Sequence, residues 1–115
     1  MAAFYHLIID QGANLREAFT YKDSDGVAVN LTGYTARSQV RATHASSSAV
    51  LSTTSAAGTL VITENTGTIT FAVAEATTAA LVPANYVWDL EIISAAGVVT
   101  RLIGGTCTVT PEVTR

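Results

Sequence analysis

The stretch Tyr86–Thr114, which reads YVWDLEIISAAGVVTRLIGGTCTVTPEVT, decides the fold. Large apolar residues recur at every second position of Tyr86–Ser94, and successive side chains of a strand point to opposite faces of a sheet. Ala95–Gly97 is short and ends in glycine, as hairpin turns often do. The stretch therefore predicts a hairpin between Tyr86–Ser94 and Val98–Ile103, followed by a further strand, Thr106–Thr110.

The same period of two continues towards the N-terminus, with threonine and valine dominating the alternating runs. Turn residues separate these runs, most clearly at Asp23–Gly26 and Glu64–Gly67, where glycine can take a positive φ. The remaining predicted strands are Phe4–Asp10, Leu15–Lys22, Val27–Leu31, Tyr34–Arg41, Ala49–Thr53, Thr59–Thr63 and Thr68–Val73.

Ala74–Leu81, AEATTAAL, departs from this alternation and favours helix, and Pro83 stops it. We expect one or two helical turns that cross from one sheet to the other. Short strands at this spacing are typical of a sandwich. The sequence predicts an all-β, antiparallel β-sandwich with a short helical crossover near residues 74–81, forming a single domain over residues 1–115.

Composition narrows the range of partners. Of the 115 residues, 13% are charged and 49% are apolar, and the net charge is −3. Nucleic acid requires clustered Lys and Arg, so we expect no nucleic-acid partner. Soluble domains usually carry about a quarter charged residues. The deficit indicates either a surface of Thr, Ser and Ala or a surface that faces neighbouring subunits.

Neither a membrane segment nor a disulfide is expected. Phe4–Ile9 is apolar but too short to cross a bilayer, and no basic residue precedes it. The single cysteine, Cys107, lies in phase with Val109 and is predicted to be a small buried residue. These features favour a protein made in the cytoplasm.

Metal and catalytic sites are not expected. His6 and His44 have no partner at ligand spacing, and Asp23-x-Asp25-Gly26 lacks the distal ligands of a calcium loop and predicts a turn. No serine lies in a nucleophile turn. The sequence therefore predicts no enzyme, no cofactor and no metal.

Charged residues near the C-terminal hairpin have a structural interpretation. Asp89 and Glu91 share one strand face, and Arg101 lies on the partner strand, which predicts a cross-strand ion pair rather than acid–base catalysis. Gly104-Gly105 is expected to form a bulge or bend between two strands. Trp88, in phase with Tyr86, is predicted to be the centre of the core.

The candidate interface residues lie on two strands. Arg37, Gln39 and Arg41 share one strand face, which is either solvated or aimed at carboxylates and carbonyls of a neighbouring subunit. Phe4 and Tyr5 begin a nearly continuous apolar strand, whose two faces are expected to be covered by the chain itself or by a partner.

Two segments carry a resemblance to a known family. Val29–Arg41, VNLTGYTARSQVR, and Tyr86–Thr114 resemble small structural proteins of tailed bacteriophages, similar to the N-terminal domain of phage baseplate upper proteins. The resemblance implies an immunoglobulin-like sandwich in a virion assembled in the host cytoplasm. It implies other virion proteins as partners, such as tail fibre or baseplate subunits, and repeated copies in a symmetric assembly.

The chain has the length of one domain, which favours a baseplate or tail-fibre adaptor or connector over a receptor-binding protein. A capsid decoration protein is the alternative within the same class. A carbohydrate-binding module is the alternative of another class, because small β-sandwiches host many functions. Sugar binding requires exposed aromatic rings, whereas most aromatic residues of this chain lie in phase with the core.

Overall fold

The computed structural model describes residues 3–113, which form two β-sheets packed face to face. In chain order the elements are β1 (Ala3–Phe4), β2 (Leu7–Asp10), β3 (Ala18–Thr20), β4 (Thr35–Arg41), β5 (Leu51–Thr54), β6 (Leu60–Thr63), β7 (Thr68–Phe71), α1 (Glu75–Ala79), β8 (Ala84–Ile93) and β9 (Val99–Thr110). A 3₁₀ turn, Glu64–Thr66, precedes β7.

The larger sheet has six strands in the order β1–β9–β8–β4–β5, with β2 also paired to β9. The smaller sheet has the order β3–β7–β6. The helical turn α1 lies between β7 of the small sheet and β8 of the large sheet, so the predicted crossover near residues 74–81 is confirmed. No helix within residues 3–113 has the length and apolar character needed to cross a membrane.

The predicted β-sandwich is confirmed, with one pairing of a different kind. β2 runs parallel to β9, with Leu7 opposite Cys107 and Asp10 opposite Thr110, and β1 continues this parallel pairing. Alternation of apolar residues specifies which side chains are buried, but it carries no information on strand direction. The predicted domain ends at residues 1 and 115 lie outside the described residues.

Several predicted strands differ from the observed ones, and Phe4–Asp10 is one of them, because it is interrupted at Tyr5 and His6. Val27–Leu31 forms no strand and makes a single bridge between Lys22 and Ala28, although Leu31 itself is fully buried. Gly104-Gly105 does not separate two strands, because β9 continues through it while paired to β8. The irregularity lies beside the glycines, where Leu102 is extra between the pairs Arg101–Glu91 and Ile103–Leu90.

Trp88 occupies the centre of the core, as predicted. Its side chain is 4% exposed, and its ring lies 5.5 Å from that of Phe19 and 6.0 Å from that of Phe71, both on the opposite sheet. The indole Nε1–H donates a hydrogen bond of 3.0 Å to the carbonyl of Tyr5, between β1 and β2. One side chain therefore joins both sheets and the N-terminal strands.

Cys107 is buried in the same core, as its phase with Val109 predicted. Burial raises the pKa of the thiol to about 11, because a thiolate would lose its hydration there.

Replacing Trp88 with alanine should lower the free energy of unfolding by roughly 3–5 kcal/mol, because large aromatic deletions leave a cavity in a core. Thr68→Ala, on the outward face of β7, should change it by about 0.5 kcal/mol or less. Urea denaturation measures both values. Equal losses in the two variants would contradict the assignment of faces.

Gly105 is held in a conformation and a space that only glycine fits. Its φ is +151°, and a Cβ at this position would lie 2.6 Å from the carbonyl oxygen of Tyr5 and 2.9 Å from Cε2 of Phe4. The missing side chain lets β1 approach β9 closely and lets the Phe4 ring rest on the strand.

Gly105→Ala should therefore destabilise the protein more than Gly97→Ala, where φ is +87° but no atom lies within 4 Å of the added Cβ. Both substitutions strain a backbone suited to glycine, and only the first creates a clash. We expect a further loss of roughly 1–3 kcal/mol for Gly105→Ala, as overpacking produces. Thermal and urea unfolding of the two variants provide the comparison, and equal losses would remove the steric explanation.

Candidate binding groove on the outer face of the large sheet

An open groove of about 490 Å³ lies on the face of the large sheet that is turned away from the core. The strands β1, β4, β8 and β9 and the loop after β4 contribute its walls. Its polar and aromatic residues are Phe4, Gln39, Arg41, His44, Trp88, Asp89, Glu91 and Arg101. We call this feature the outer groove.

The register of the sheet creates the outer groove. Phe4 pairs with Gly104, Gly104 with Asp89, and Asp89 with Gln39, so these four residues form one outward-facing row across the sheet. Because Gly104 contributes no side chain, a hollow remains between the Phe4 ring and the Asp89 carboxylate. The glycine pair, predicted to form a bulge or bend, therefore lines the groove.

Two ion pairs cross the strands beside the groove, and the pair that joins Arg101 to this acidic face was predicted. Arg37 Nε lies 2.8 Å from Glu91 Oε1, and Arg101 Nε lies 3.5 Å from Asp89 Oδ2. Arg101 reaches Asp89 although its direct neighbour in the register is Glu91. Both arginine side chains are more than half exposed, so each pair is expected to stabilise the fold by about 0.2–1 kcal/mol.

The row Arg37, Gln39 and Arg41 faces outward, as its alternation predicted. Arg41 donates from Nε and Nη2 to Gln39 Oε1 and from Nη1 to the carbonyl of Ser46. Arg37 and Arg41 are therefore already engaged within the chain. The contact of this row with a neighbouring subunit stays a prediction.

Of the two faces of the first strands, this chain covers only the inner one. Leu7 and Ile9 are fully buried, while Phe4 is 74% exposed and Ile8 is 52% exposed. Tyr5 differs from Phe4, because its ring packs edge-on against Phe19 at 5.2 Å and its hydroxyl donates to Glu17. The structure thus places Phe4 at the outer groove and Tyr5 at the rim of the core.

Asp89 has a pKa above the usual range for a carboxyl group. Partial burial between the strands raises the pKa most, and the nearby Glu91 raises it further. Arg101, Arg37 and Arg41 act in the opposite direction without offsetting the loss of hydration. The folded protein therefore resists ionisation of this carboxyl group.

Asp89→Asn should increase stability at pH 7 relative to the wild type, and more so at pH 7 than at pH 3. In the wild type, the folded state binds this proton more tightly than the unfolded state, so stability falls as the pH rises through the raised pKa. The asparagine variant lacks that loss. Urea denaturation at both pH values measures the free energy of unfolding of the variant and of the wild type. A stability advantage of the variant that is smaller at pH 7 than at pH 3 would contradict the raised pKa.

The histidines and the acidic turn lie in separate places. His6 contacts the hydroxyls of Thr106 and Thr108, and His44 is exposed at the edge of the outer groove. Asp23 Oδ1 accepts hydrogen bonds from the N–H groups of Asp25 and Val27, which confirms a turn. Within residues 3–113 no three His, Cys, Asp or Glu side chains come together as metal ligands would.

Comparison with known proteins shows a similarity of fold. No protein-family model matches the chain. No curated protein matches it either. Among solved structures, CopC from Methylosinus trichosporium OB3b superposes with a TM-score of 0.50 at 13% identity, covering 99% of this chain and 90% of CopC.

Extracellular domains 3–5 of Drosophila OTK give a TM-score of 0.35 at 13% identity, covering 90% of this chain and 32% of the OTK chain. The chain thus spans about a third of that structure. At such low identity the superposition on CopC shows the fold alone. The protein is an immunoglobulin-like β-sandwich.

Proposed function

We propose that this protein is a non-enzymatic structural subunit of a tailed-bacteriophage virion, acting through protein–protein contacts as a baseplate or tail-fibre adaptor or connector. The sequence resemblance supplies the class of protein. Its two segments, Val29–Arg41 and Tyr86–Thr114, contain β4, β9 and all of β8 except its first two residues. These strands are hydrogen-bonded neighbours, so the resembling residues form the middle of the large sheet as one unit.

An uncharged surface supports contacts between subunits. The outward side chains of the small sheet form two rows across β3, β7 and β6, and we call them the uncharged face: Ala18–Thr70–Val61 and Thr20–Thr68–Thr63. Covering such a surface removes no charge from water, which lowers the desolvation cost of association. The uncharged face is the observation that carries the proposal.

Charge is distributed very differently on the two sheets. The side chains of Arg37, Arg41, Asp89, Glu91 and Arg101 all lie on the outer face of the large sheet. Buried permanent interfaces are depleted in charge at their centres, and the uncharged face has that character. The uncharged face therefore fits a permanent neighbour better than the charged side does.

Such a subunit works by geometry. A rigid sandwich offers the same faces in every copy, and symmetry repeats each contact. Other virion proteins, including tail fibre or baseplate subunits, and further copies of this chain are its partners under this proposal. A capsid decoration protein stays the alternative. It would make the same kind of repeated protein–protein contact at another place on the particle.

The location can be tested on phage particles. Immunogold labelling of purified virions with an antibody against this chain should place gold at the tail tip, with the chain co-purifying through a density gradient. Gold on the capsid would select the decoration role. Purified particles that lack the chain would overturn the proposal.

The contact surface can be tested with two matched substitutions. Val61→Lys places a charge on the uncharged face, where Val61 is 48% exposed, and Val98→Lys places the same charge in the β8–β9 hairpin, where Val98 is 62% exposed. Both variants should fold, because both sites are exposed. We expect Val61→Lys alone to reduce incorporation into particles at least tenfold. Equal incorporation of both variants would exclude the uncharged face as the contact.

A further inference from the structure

The outer groove combines an exposed aromatic ring with polar groups that have spare bonding capacity. Phe4 is 74% exposed, and its Cδ2–Cε2 edge rests against Gly105, close enough that a Cβ there would meet both atoms at 2.9–3.0 Å. The ring is thus fixed along one edge while most of its surface remains open to the groove. Such a ring offers an apolar platform at the position where the sheet has no side chain.

The polar groups opposite the ring are only partly engaged. Arg101 contacts Asp89 through Nε at 3.5 Å, and within residues 3–113 its two terminal nitrogens donate no hydrogen bond. The Asp89 carboxylate likewise accepts no hydrogen bond from a side chain in this part of the protein. A pair of donors and a pair of acceptors therefore stand next to each other in the groove.

We propose that the outer groove binds a neutral saccharide, with the Phe4 ring stacked on the C–H face of a sugar and with Asp89 and Arg101 holding its hydroxyls. A sugar hydroxyl both donates and accepts, so adjacent hydroxyls match a carboxylate beside a guanidinium. Gln39 lies next to Asp89 in the same row, and because its Oε1 accepts from Arg41, it contributes the amide nitrogen as a donor. An apolar ring with a few placed polar groups is the usual make-up of a small-ligand site.

Charge and size favour this ligand over others. Two arginines, Arg41 and Arg101, and two carboxylates, Asp89 and Glu91, line the groove, and Glu91 is also paired with Arg37. Because acids and bases are interspersed there, the groove has no patch of one sign that would favour an ionic ligand. The volume of about 490 Å³ falls within the range of about 300–1,000 Å³ for small-ligand sites. A protein partner would need to bury about 1,200 Å² or more, mostly outside this groove.

The saccharide site is independent of the proposed structural role. It lies on the outer face of the large sheet, whereas the uncharged face belongs to the small sheet. A virion subunit without sugar binding, or a sugar-binding protein absent from virions, would separate the two proposals.

The test begins with the whole purified chain on an array of bacterial surface oligosaccharides, followed by titration with glucose, galactose, rhamnose and N-acetylglucosamine at millimolar concentration. Nuclear magnetic resonance then reports the site. We expect at least one neutral glycan to bind and to shift the backbone amides of Gly104 and Gly105 and the Nε–H of Arg101. No binding to any neutral glycan, or shifts confined to other strands, would overturn the proposal.

Substitutions identify the groups that bind. Phe4→Ala and Asp89→Asn should each weaken binding of the glycan at least tenfold, and Phe4→Tyr should retain it because the ring is kept. Val61→Ala, an apolar truncation on the other sheet, is the matched control and should bind as the wild type does. Circular dichroism checks that each variant is folded. Unchanged affinity in folded Phe4→Ala would overturn the stacking role.

Discussion

The packing of Trp88 is the interaction on which the rest of the structure depends. Its ring reaches from β8 to Phe19 and Phe71 on the other sheet, and its Nε1–H bonds the Tyr5 carbonyl between the two N-terminal strands. A buried indole N–H without an acceptor would carry a desolvation cost, so this bond fixes the position of the N-terminal segment. Core packing and the placement of β1 are thereby coupled.

That coupling also shapes the outer surface. With β1 held against β9, the Phe4 ring lies over Gly105, and the close approach is possible because Gly105 has no side chain. The neighbouring Gly104, which lies between Phe4 and Asp89 in the register, leaves the hollow between them. The outer groove is therefore a consequence of how the first and last strands meet, rather than of a dedicated loop.

The two sheets present different chemistry to their surroundings. The large sheet carries paired acids and bases around a hollow, while the small sheet carries threonine, valine and alanine. An uncharged sheet face suits permanent contact, because its burial costs little desolvation. A charged and partly satisfied groove suits a ligand that exchanges with water. Under the two proposals, one small sandwich is held in an assembly by one face and binds a ligand with the other.

Predictions from the sequence were accurate where a residue's position in the local alternation of apolar and polar residues tells which face it occupies. The burial of Trp88 and Cys107, the outward row at Arg37, Gln39 and Arg41, and the crossover near residues 74–81 all follow from local alternation and its interruption. Val27–Leu31 shows the limit of such evidence, because it has strand-like composition but finds no partner beyond one bridge. A strand requires a neighbour, and composition does not supply one.

The sequence by itself determined the class of fold, the inward and outward faces of most strands, and the hairpin turns, because these depend on residues close together in the chain. The tertiary structure alone decided that β2 runs parallel to β9, that the extra residue of β9 is Leu102, and that Phe4 and Asp89 lie on either side of Gly104. These are contacts between residues far apart in sequence. They are set by which strands meet and in which direction, and the pattern along one strand does not encode either.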